Sequence, residues 1–203
     1  MTIEFVWLTA VSLRVPPVII GNNIDTIIEL INRLNEDSSR GDDHEKPLTK
    51  VRIDDEVINC IAEQGKSLTD VLEKGNKIYL RRNANLSTGG EAIDCTEEIC
   101  SENIDLCIRV AKALRLDICG IDICSEDISK SLYNNGVIME VNAAPGLRMH
   151  INPSKGNSRN VAKEIVNMLY DNKPHNIPVI AITGTNGKTT TTRLISHTLS
   201  KMG

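Results

Sequence analysis

The sequence predicts an α+β fold, in which helices pack on antiparallel strands, followed by the opening of an α/β unit. Three observations predict it. Apolar residues recur at helical spacing in several segments, two apolar runs (118–124 and 137–141) are joined by a short polar turn, and a glycine-rich loop precedes a helical pattern near the end. With 203 residues, of which 40% are hydrophobic, the chain can bury a core.

Composition narrows the classes of function. The 23 Lys and Arg residues against 27 Asp and Glu residues argue against broad electrostatic binding of nucleic acid or anionic membrane, and 2% aromatic residues leave few platforms for stacking bases. The cysteines lack metal-type C-x-x-C spacing, so we expect free thiols in a cytoplasmic protein. They are Cys60, Cys95, Cys100, Cys107, Cys119 and Cys124.

Short apolar runs and helical periodicity define the individual elements. Strands are predicted at 5–13, 77–80, 118–124, 137–141 and 177–182. Helices are predicted at 24–34, 54–64, 67–74, 101–114 and 161–169. We expect Asn23 to cap the first helix, and Pro16 and Pro17 to end the first strand because neither can donate an N–H. The charged segment 37–47 is predicted to be a surface loop, and 81–90 a polar loop that can face a ligand.

Oxygen-bearing side chains interrupt the two neighbouring strands. Glu140 and Asn142 lie two residues apart and therefore point to one face, which Asp122 on the preceding strand can join. Two carboxylates and an amide suit Mg²⁺ carrying ATP phosphates. The alternative is that these are solvent-facing positions of half-buried strands. The sharp turn through Pro145 and Gly146 favours a site, because it directs the following residues toward the same place.

A phosphate-binding loop is predicted between the apolar run 177–182 and a helical pattern. Glycines turn backbone N–H groups inward, the helix N-terminus adds partial positive charge, and a lysine and a threonine supply a cation and a metal ligand. The strict G-x-x-x-x-G-K-[ST] form is not met, since Ile182 occupies the first glycine position. The alternative is a glycine turn before a surface helix. The residues expected to hold ATP are Gly184, Thr185, Asn186, Gly187, Lys188, Thr189 and Thr190.

These motifs resemble those of known ligases. Residues 139–146 resemble the metal-binding strand of the ATP-grasp ligases, and 85–90 resemble their substrate and phosphate loop. The resemblance implies that Asp122, Glu140 and Asn142 hold Mg²⁺ on ATP. It also implies that Arg81, Asn85 and Ser87 contact the substrate or its acyl phosphate. The loop 184–190 is similar to that of the Mur-type amino-acid ligases.

The resemblance divides the chain into 1–170, the C-terminal part of an ATP-grasp domain, a linker at 171–176, and 177–203, the start of a Mur-like domain. Three departures stand out. The glycine-rich lid and the lysines over the phosphates should precede Phe5 and are missing, and so is the hinge that holds adenine. Related ligases carry an arginine two positions before the metal aspartate, where this chain has Gly120, and Arg81 is expected to substitute for it.

The combination of the two domain types is similar to ligases that add aspartate and arginine to an Asp-Arg polymer through acyl phosphates. It implies ATP, Mg²⁺, aspartate, arginine and the polymer as ligands, without nucleic acid or membrane, and leaves a homo-oligomer open. We expect a ligase fragment with little or no activity of its own. A nucleotide-binding module acting in a complex, or a decayed gene product without function, are the alternatives.

Overall fold

The computed structural model describes residues 7–42, 45–170 and 179–202. They fall into two compact units, Met1–Val166 and Asn167–Gly203. The strands are β1 (Ser12–Val15), β2 (Val18–Ile20), β3 (Arg40–Gly41), β4 (Leu48–Thr49), β5 (Lys77–Tyr79), β6 (Glu91–Asp94), β7 (Gly120–Ser125) and β8 (Gly136–Asn142). The helices are α1 (Ile27–Asn35), α2 (Asp55–Glu63), α3 (Ser101–Leu114), α4 (Arg148–Ile151), α5 (Val161–Leu169) and α6 (Lys188–Met202).

The described strands pair two by two. β1 pairs with β6, β2 with β5 and β7 with β8, all antiparallel, while β3 and β4 form a short parallel pair. The predicted antiparallel pair at 118–124 and 137–141 is thus confirmed as β7 and β8. The mixture of helices with small antiparallel sheets also confirms the α+β class.

The core of the first unit lies where α1 and α2 cover β2 and β5. Its most buried side chains are apolar and carry almost no exposed surface: Ile27, Ile31, Val57, Ile61, Leu72 and Leu80. Burying each such side chain stabilises the fold by about 1.5–3 kcal/mol. The isoleucine spacing that predicts α1 therefore marks its buried face.

The start of the chain differs from the prediction. Instead of one strand over 5–13, the chain has two short strands, β1 and β2, on either side of Pro16 and Pro17. Residues 5 and 6 of the predicted strand lie outside the described residues. β1 ends at Val15, directly before Pro16, as the prolines predict. Proline lacks the N–H but keeps its carbonyl, and Pro17 O accepts from Leu80 N at 2.8 Å.

The predicted cap of α1 at Asn23 is wrong. Thr26 is the N-cap, and its backbone N–H donates to the carboxylate of Glu29 at 2.8 Å in a capping box. Asn23 instead takes the left-handed conformation, with φ of 66°, and its side-chain oxygen accepts from Lys74 N. The helix therefore begins at Ile27, three residues after the predicted start, and Ile24 precedes it.

Of the later helices, α2 and α3 are confirmed, whereas the helix predicted at 67–74 is wrong. Asp54 caps α2 by accepting from Val57 N at 3.0 Å. At the wrong position a turn forms instead: Ser67 N donates to the Asp70 carboxylate at 2.8 Å and Asp70 N to Ser67 O at 3.1 Å. Serine and aspartate side chains compete for the backbone groups that a helix would use.

In the second unit, α6 confirms the predicted helical pattern. The strand predicted at 177–182 lies partly outside the described residues, and 179–182 do not form a strand. The predicted linker 171–176 lies outside them as well. Within the described part of the chain, every helix is too short or too polar to cross a membrane.

Candidate functional site

The β7–β8 ribbon brings the predicted metal ligands to one face. Asp122 lies directly opposite Glu140, and Gly120 lies opposite Asn142. Directly opposed residues of an antiparallel pair share a face, with Cβ atoms about 4.5–5.5 Å apart. The two carboxylates and the amide therefore stand side by side, as their spacing predicts.

A β-bulge in β8 makes this opposition possible. Asp122 pairs with Glu140 but the next residue, Ile123, pairs with Ile138, so Met139 has no partner in the ladder. The extra residue places Glu140 on the acidic face and Ile138 on the apolar face. In a regular ladder, Met139 would have opposed Asp122.

Arg14, a residue that the sequence did not single out, lies beside this pair. Its Nη2 is 3.0 Å from Asp122 Oδ2, with side chains 34% and 35% exposed. Arg14 belongs to β1, whose ladder partner is β6, so neither spacing nor pairing links it to Asp122 in the sequence. The available signal was a lone cation within an apolar strand.

The donor set fits a divalent cation. Asp122 and Glu140 offer carboxylate oxygens and Asn142 an amide oxygen, the hard ligands that Mg²⁺ prefers. All three side chains are exposed or half-buried, so an ion carrying ATP phosphates can reach them. Among the described residues no three His, Cys, Asp or Glu side chains gather into a metal cluster, and at this face the third oxygen donor beside the two carboxylates is the amide of Asn142.

Gly120 is explained by the turn that follows β8. A Cβ built on Gly120 would lie 2.8 Å from Pro145 Cβ, closer than two carbon atoms can approach. The turn through Pro145 folds back over the first residue of β7. The place where related ligases were expected to carry an arginine is therefore covered here by the chain itself.

Arg81 lies at the start of the loop 81–90 and is 4% exposed. It pairs with Asp54 at 2.6 Å and with Glu56, both at the beginning of α2. The expected substitution of Arg81 for the arginine at position 120 does not match this placement, because the cation recorded beside Asp122 is Arg14. Through these two ion pairs Arg81 joins the loop to the beginning of α2.

The side chains of Asn85 and Ser87 are exposed at the tip of the same loop, on a short 3₁₀ turn, Leu86–Thr88. Gly89, near the end of the loop, has a φ of 100°, and a Cβ added to it would overlap Val51 Cγ2, so this position requires glycine. The tip is thus free to meet a ligand while its base is packed.

Arg40 supports the end of this loop from beneath. It is 1% exposed and donates to Thr49 O at 3.0 Å, to Gly89 O at 2.9 Å and to Glu91 at 2.8 Å. Segment 37–47 was predicted to be a solvated surface loop, and Arg40 corrects that prediction. A buried arginine needs several acceptors, and the loop's last carbonyl is one of them.

A second ion pair fixes the segment after the turn. Arg159 and Thr96 both bond Asp94, which holds the pKa of that carboxyl down at about 2. Ser154 N also donates to Ala92 O at 2.7 Å, so this segment lies along β6. Burial lowers the pKa of His150, on α4 between the turn and this anchor, which favours a neutral packed imidazole.

The loop 184–190 of the second unit, predicted to bind phosphate, has the geometry of a turn into a helix. Gly184 and Gly187 have φ of 145° and 80°, and α6 begins at Lys188. The Lys188 ammonium folds over the loop and donates to Gly184 O at 2.6 Å and to Thr185 O at 3.3 Å. The loop 184–190 is exposed throughout, so its amides and the lysine are accessible to an anion.

Comparison with known proteins identifies the family. The model of the RimK-like ATP-grasp domain matches residues 50–169. The chain belongs to the RimK-like ATP-grasp family. It is 51% identical to cyanophycin synthetase from Crocosphaera subtropica and 52% identical to that from Synechocystis, over 97% of this chain and 23% of each relative. This confirms the resemblance to ATP-grasp ligases, and to cyanophycin synthetase in particular, that the motifs indicate.

More distant relatives agree with this assignment. The glutathione biosynthesis bifunctional protein of Clostridium perfringens is 35% identical over 78% of this chain. The crystal structure of a bifunctional glutathione synthetase from Pasteurella multocida matches 82% of this chain with a TM-score of 0.68 and 30% identity. The chain spans about a quarter of the length of these relatives, 23% for the crystal structure and 20% for the Clostridium protein.

The RimK-like ATP-grasp match contains most of the candidate site. The residues within 50–169 are Arg81, Asn85, Ser87, Asp122, Glu140 and Asn142. Arg14 and the loop 184–190 lie outside it. The similarity to cyanophycin synthetase covers 97% of the chain and so continues beyond residue 169.

Proposed function

We propose that the first unit binds Mg-ATP and an acyl phosphate in a ligation that joins a carboxylate to an amine. The observation that carries the proposal is the placement of Asp122 opposite Glu140, with Asn142 on the same face, in a chain of the RimK-like ATP-grasp family. ATP-grasp ligation activates a carboxylate with ATP before an amine attacks it. Oxygen ligands at this face suit that chemistry.

Each residue then has a defined task. Asp122, Glu140 and Asn142 would hold Mg²⁺, which when bound neutralises charge on the phosphates. Arg14 adds a positive charge at the same face. Asn85 and Ser87 offer an amide and a hydroxyl from the exposed loop tip to the substrate or its phosphoryl group. Arg81 keeps that loop against α2.

The substrates follow from similarity alone. Cyanophycin synthetase is the name of relatives that are 51% and 52% identical, so we propose aspartate, arginine and an Asp-Arg polymer as ligands. The chain matches 23% of the length of these relatives, and the proposal for it is that it binds these ligands.

The metal face is tested with Mn²⁺, whose unbound fraction is counted by electron paramagnetic resonance. Asp122→Asn and Glu140→Gln each remove a charged ligand, so we expect the affinity for Mn²⁺ to fall by about tenfold or more. Asp117→Asn is the matched control, because Asp117 is an exposed aspartate just before β7. Equal affinity in all four proteins would reject the metal site.

For the second unit we propose nucleotide binding at the loop 184–190, as the opening of a Mur-like domain. Support comes from the accessible loop, from Lys188 at the first turn of α6, and from similarity that extends past residue 169. In this proposal the loop amides and Lys188 bind the phosphates of ATP, and Thr189 helps to hold its Mg²⁺.

Calorimetric titration with Mg-ATP tests this loop. In the background Asp122→Asn, which weakens the other site, we expect binding that Lys188→Ala sharply reduces, because the cation facing the phosphates is lost. Lys201→Ala is the control, since it removes a lysine from the last turn of the same helix. Retained binding in Lys188→Ala would refute the proposal, and absent binding in the background would favour a decayed loop.

A further inference from the structure

The side chain of Asn83 braces the loop that carries Asn85 and Ser87. Its Oδ1 accepts from Asn85 N at 3.2 Å and from the Thr88 hydroxyl at 2.9 Å. Its Nδ2 donates to Glu56 Oε1 at 3.2 Å, on α2. One side chain therefore joins the beginning of the loop, its 3₁₀ turn and a neighbouring helix.

The chemistry of the partners fixes the orientation of this amide. A carboxylate can only accept, and a backbone N–H can only donate. With the amide reversed, Nδ2 would face the N–H of Asn85 and Oδ1 would face the carboxylate of Glu56, so two favourable contacts would become repulsive. The network has one satisfied arrangement.

The other anchors of the network are already rigid. Glu56 also pairs with the buried Arg81, and at the far end of the loop Gly89 O accepts from the buried Arg40 at 2.9 Å. Between these anchors the side chains of Asn85 and Ser87 remain exposed. The loop is therefore held from both ends while its tip is open.

We propose that Asn83 is a positioning residue that presets the loop 83–89 in the conformation that presents Asn85 and Ser87 to the substrate. The benefit for ligand binding rests on the proposed function. The presetting itself rests on the contacts of Asn83. When the loop is already ordered before the ligand arrives, ordering its backbone does not reduce the free energy of binding.

Amide hydrogen exchange measured by NMR on the full chain tests the proposal. Asn83→Asp keeps the acceptor for Asn85 N but places a carboxylate against Glu56. We expect the amides of Asn85, Thr88 and Gly90 to exchange about tenfold faster in this variant. The amide of Ile31, in the core, and the melting temperature should stay unchanged. Asn83→Ala, which lacks both contacts, should give the same local effect.

A second substitution supplies the rescue. Glu56→Gln alone leaves one acceptor oxygen for two donors, Arg81 and Asn83, so its loop exchange should also be faster than that of the unmodified chain. Combined with Asn83→Asp, the new amide can donate to the new carboxylate, and we expect exchange to return to within about threefold of the unmodified chain. Additive effects of the two substitutions would overturn the proposal.

Other outcomes are equally decisive. Unchanged loop exchange in both Asn83 variants overturns the presetting, and so does faster exchange that extends to Ile31 with a lower melting temperature, because Asn83 would then be merely structural. The unmodified chain is also titrated with Mg-ATP and aspartate. Absent shifts of Asn85 and Ser87 would count against the proposed function, while the rescued exchange would still support presetting by Asn83.

Discussion

At the scale of single residues, charge balance governs the face of β7 and β8 that carries Asp122 and Glu140. Asp122 and Glu140 bring two negative charges together, which is unfavourable unless a cation lies near. Arg14 supplies that cation at 3.0 Å from Asp122. Because both side chains are about a third exposed, 34% and 35%, the pair contributes modestly and can be broken by a stronger ligand.

Replacing Arg14 tests this balance. In Arg14→Met, Asp122 no longer has to leave an ion pair, so we expect Mn²⁺ without nucleotide to bind about two- to fivefold more tightly, a difference that salt reduces. Mn²⁺ titration at low and high ionic strength measures it. Arg109→Met, at an exposed position of α3, is the control. Weaker binding in Arg14→Met alone would show that the arginine supports the ion rather than competing with it.

At the scale of elements, the turn after β8 must fit over the start of β7. Gly120→Ala places a Cβ 2.8 Å from Pro145 Cβ, which is closer than two non-bonded carbon atoms approach. We expect it to lower the free energy of unfolding by about 1–3 kcal/mol, measured by urea denaturation.

Pro145→Gly is the matched partner, because it removes the atom that collides. Its own cost is a more flexible turn. The double variant Gly120→Ala, Pro145→Gly should therefore be more stable than the sum of the single effects predicts. Strict additivity would mean that the two residues do not meet in solution.

Elements whose contacts lie close in the chain could be predicted from the sequence, and residues with distant partners could not. Local patterns sufficed for α2 and α3, and for the pairing of β7 with β8, because each depends on residues close in the chain. Arg14 and Arg40 were missed because their partners lie in other segments. The helix at 67–74 was wrong because short polar side chains, rather than apolar spacing, decide that turn.

At the scale of the whole molecule, the two units differ in how much they bury. The first unit has a continuous apolar core around Ile27 and Leu80. In the described part of the second unit, α6 has no buried residue, and Leu194 and Leu199 are 63% and 52% exposed. A helix of 15 residues without a packed face is marginally stable.

The rates of amide hydrogen exchange should therefore differ between α6 and the core of the first unit. We expect the amides of α6 to exchange at least about a hundredfold faster than those of Ile31 and Leu80, because local opening of α6 costs little. The measurement is exchange of the unmodified chain followed by NMR. If α6 were protected as strongly as the core, another surface would have to cover Leu194 and Leu199.

The unpaired Met139 is the position in β8 at which one residue can be deleted without changing the pairing of its neighbours. A chain lacking this one residue would keep Ile138 opposite Ile123 and Glu140 opposite Asp122, since the bulge would close into a regular ladder. A deletion between Glu140 and Asn142 would instead bring Asn142 to the apolar face. The chain can therefore differ by one residue at this bulge and still place Asp122 opposite Glu140.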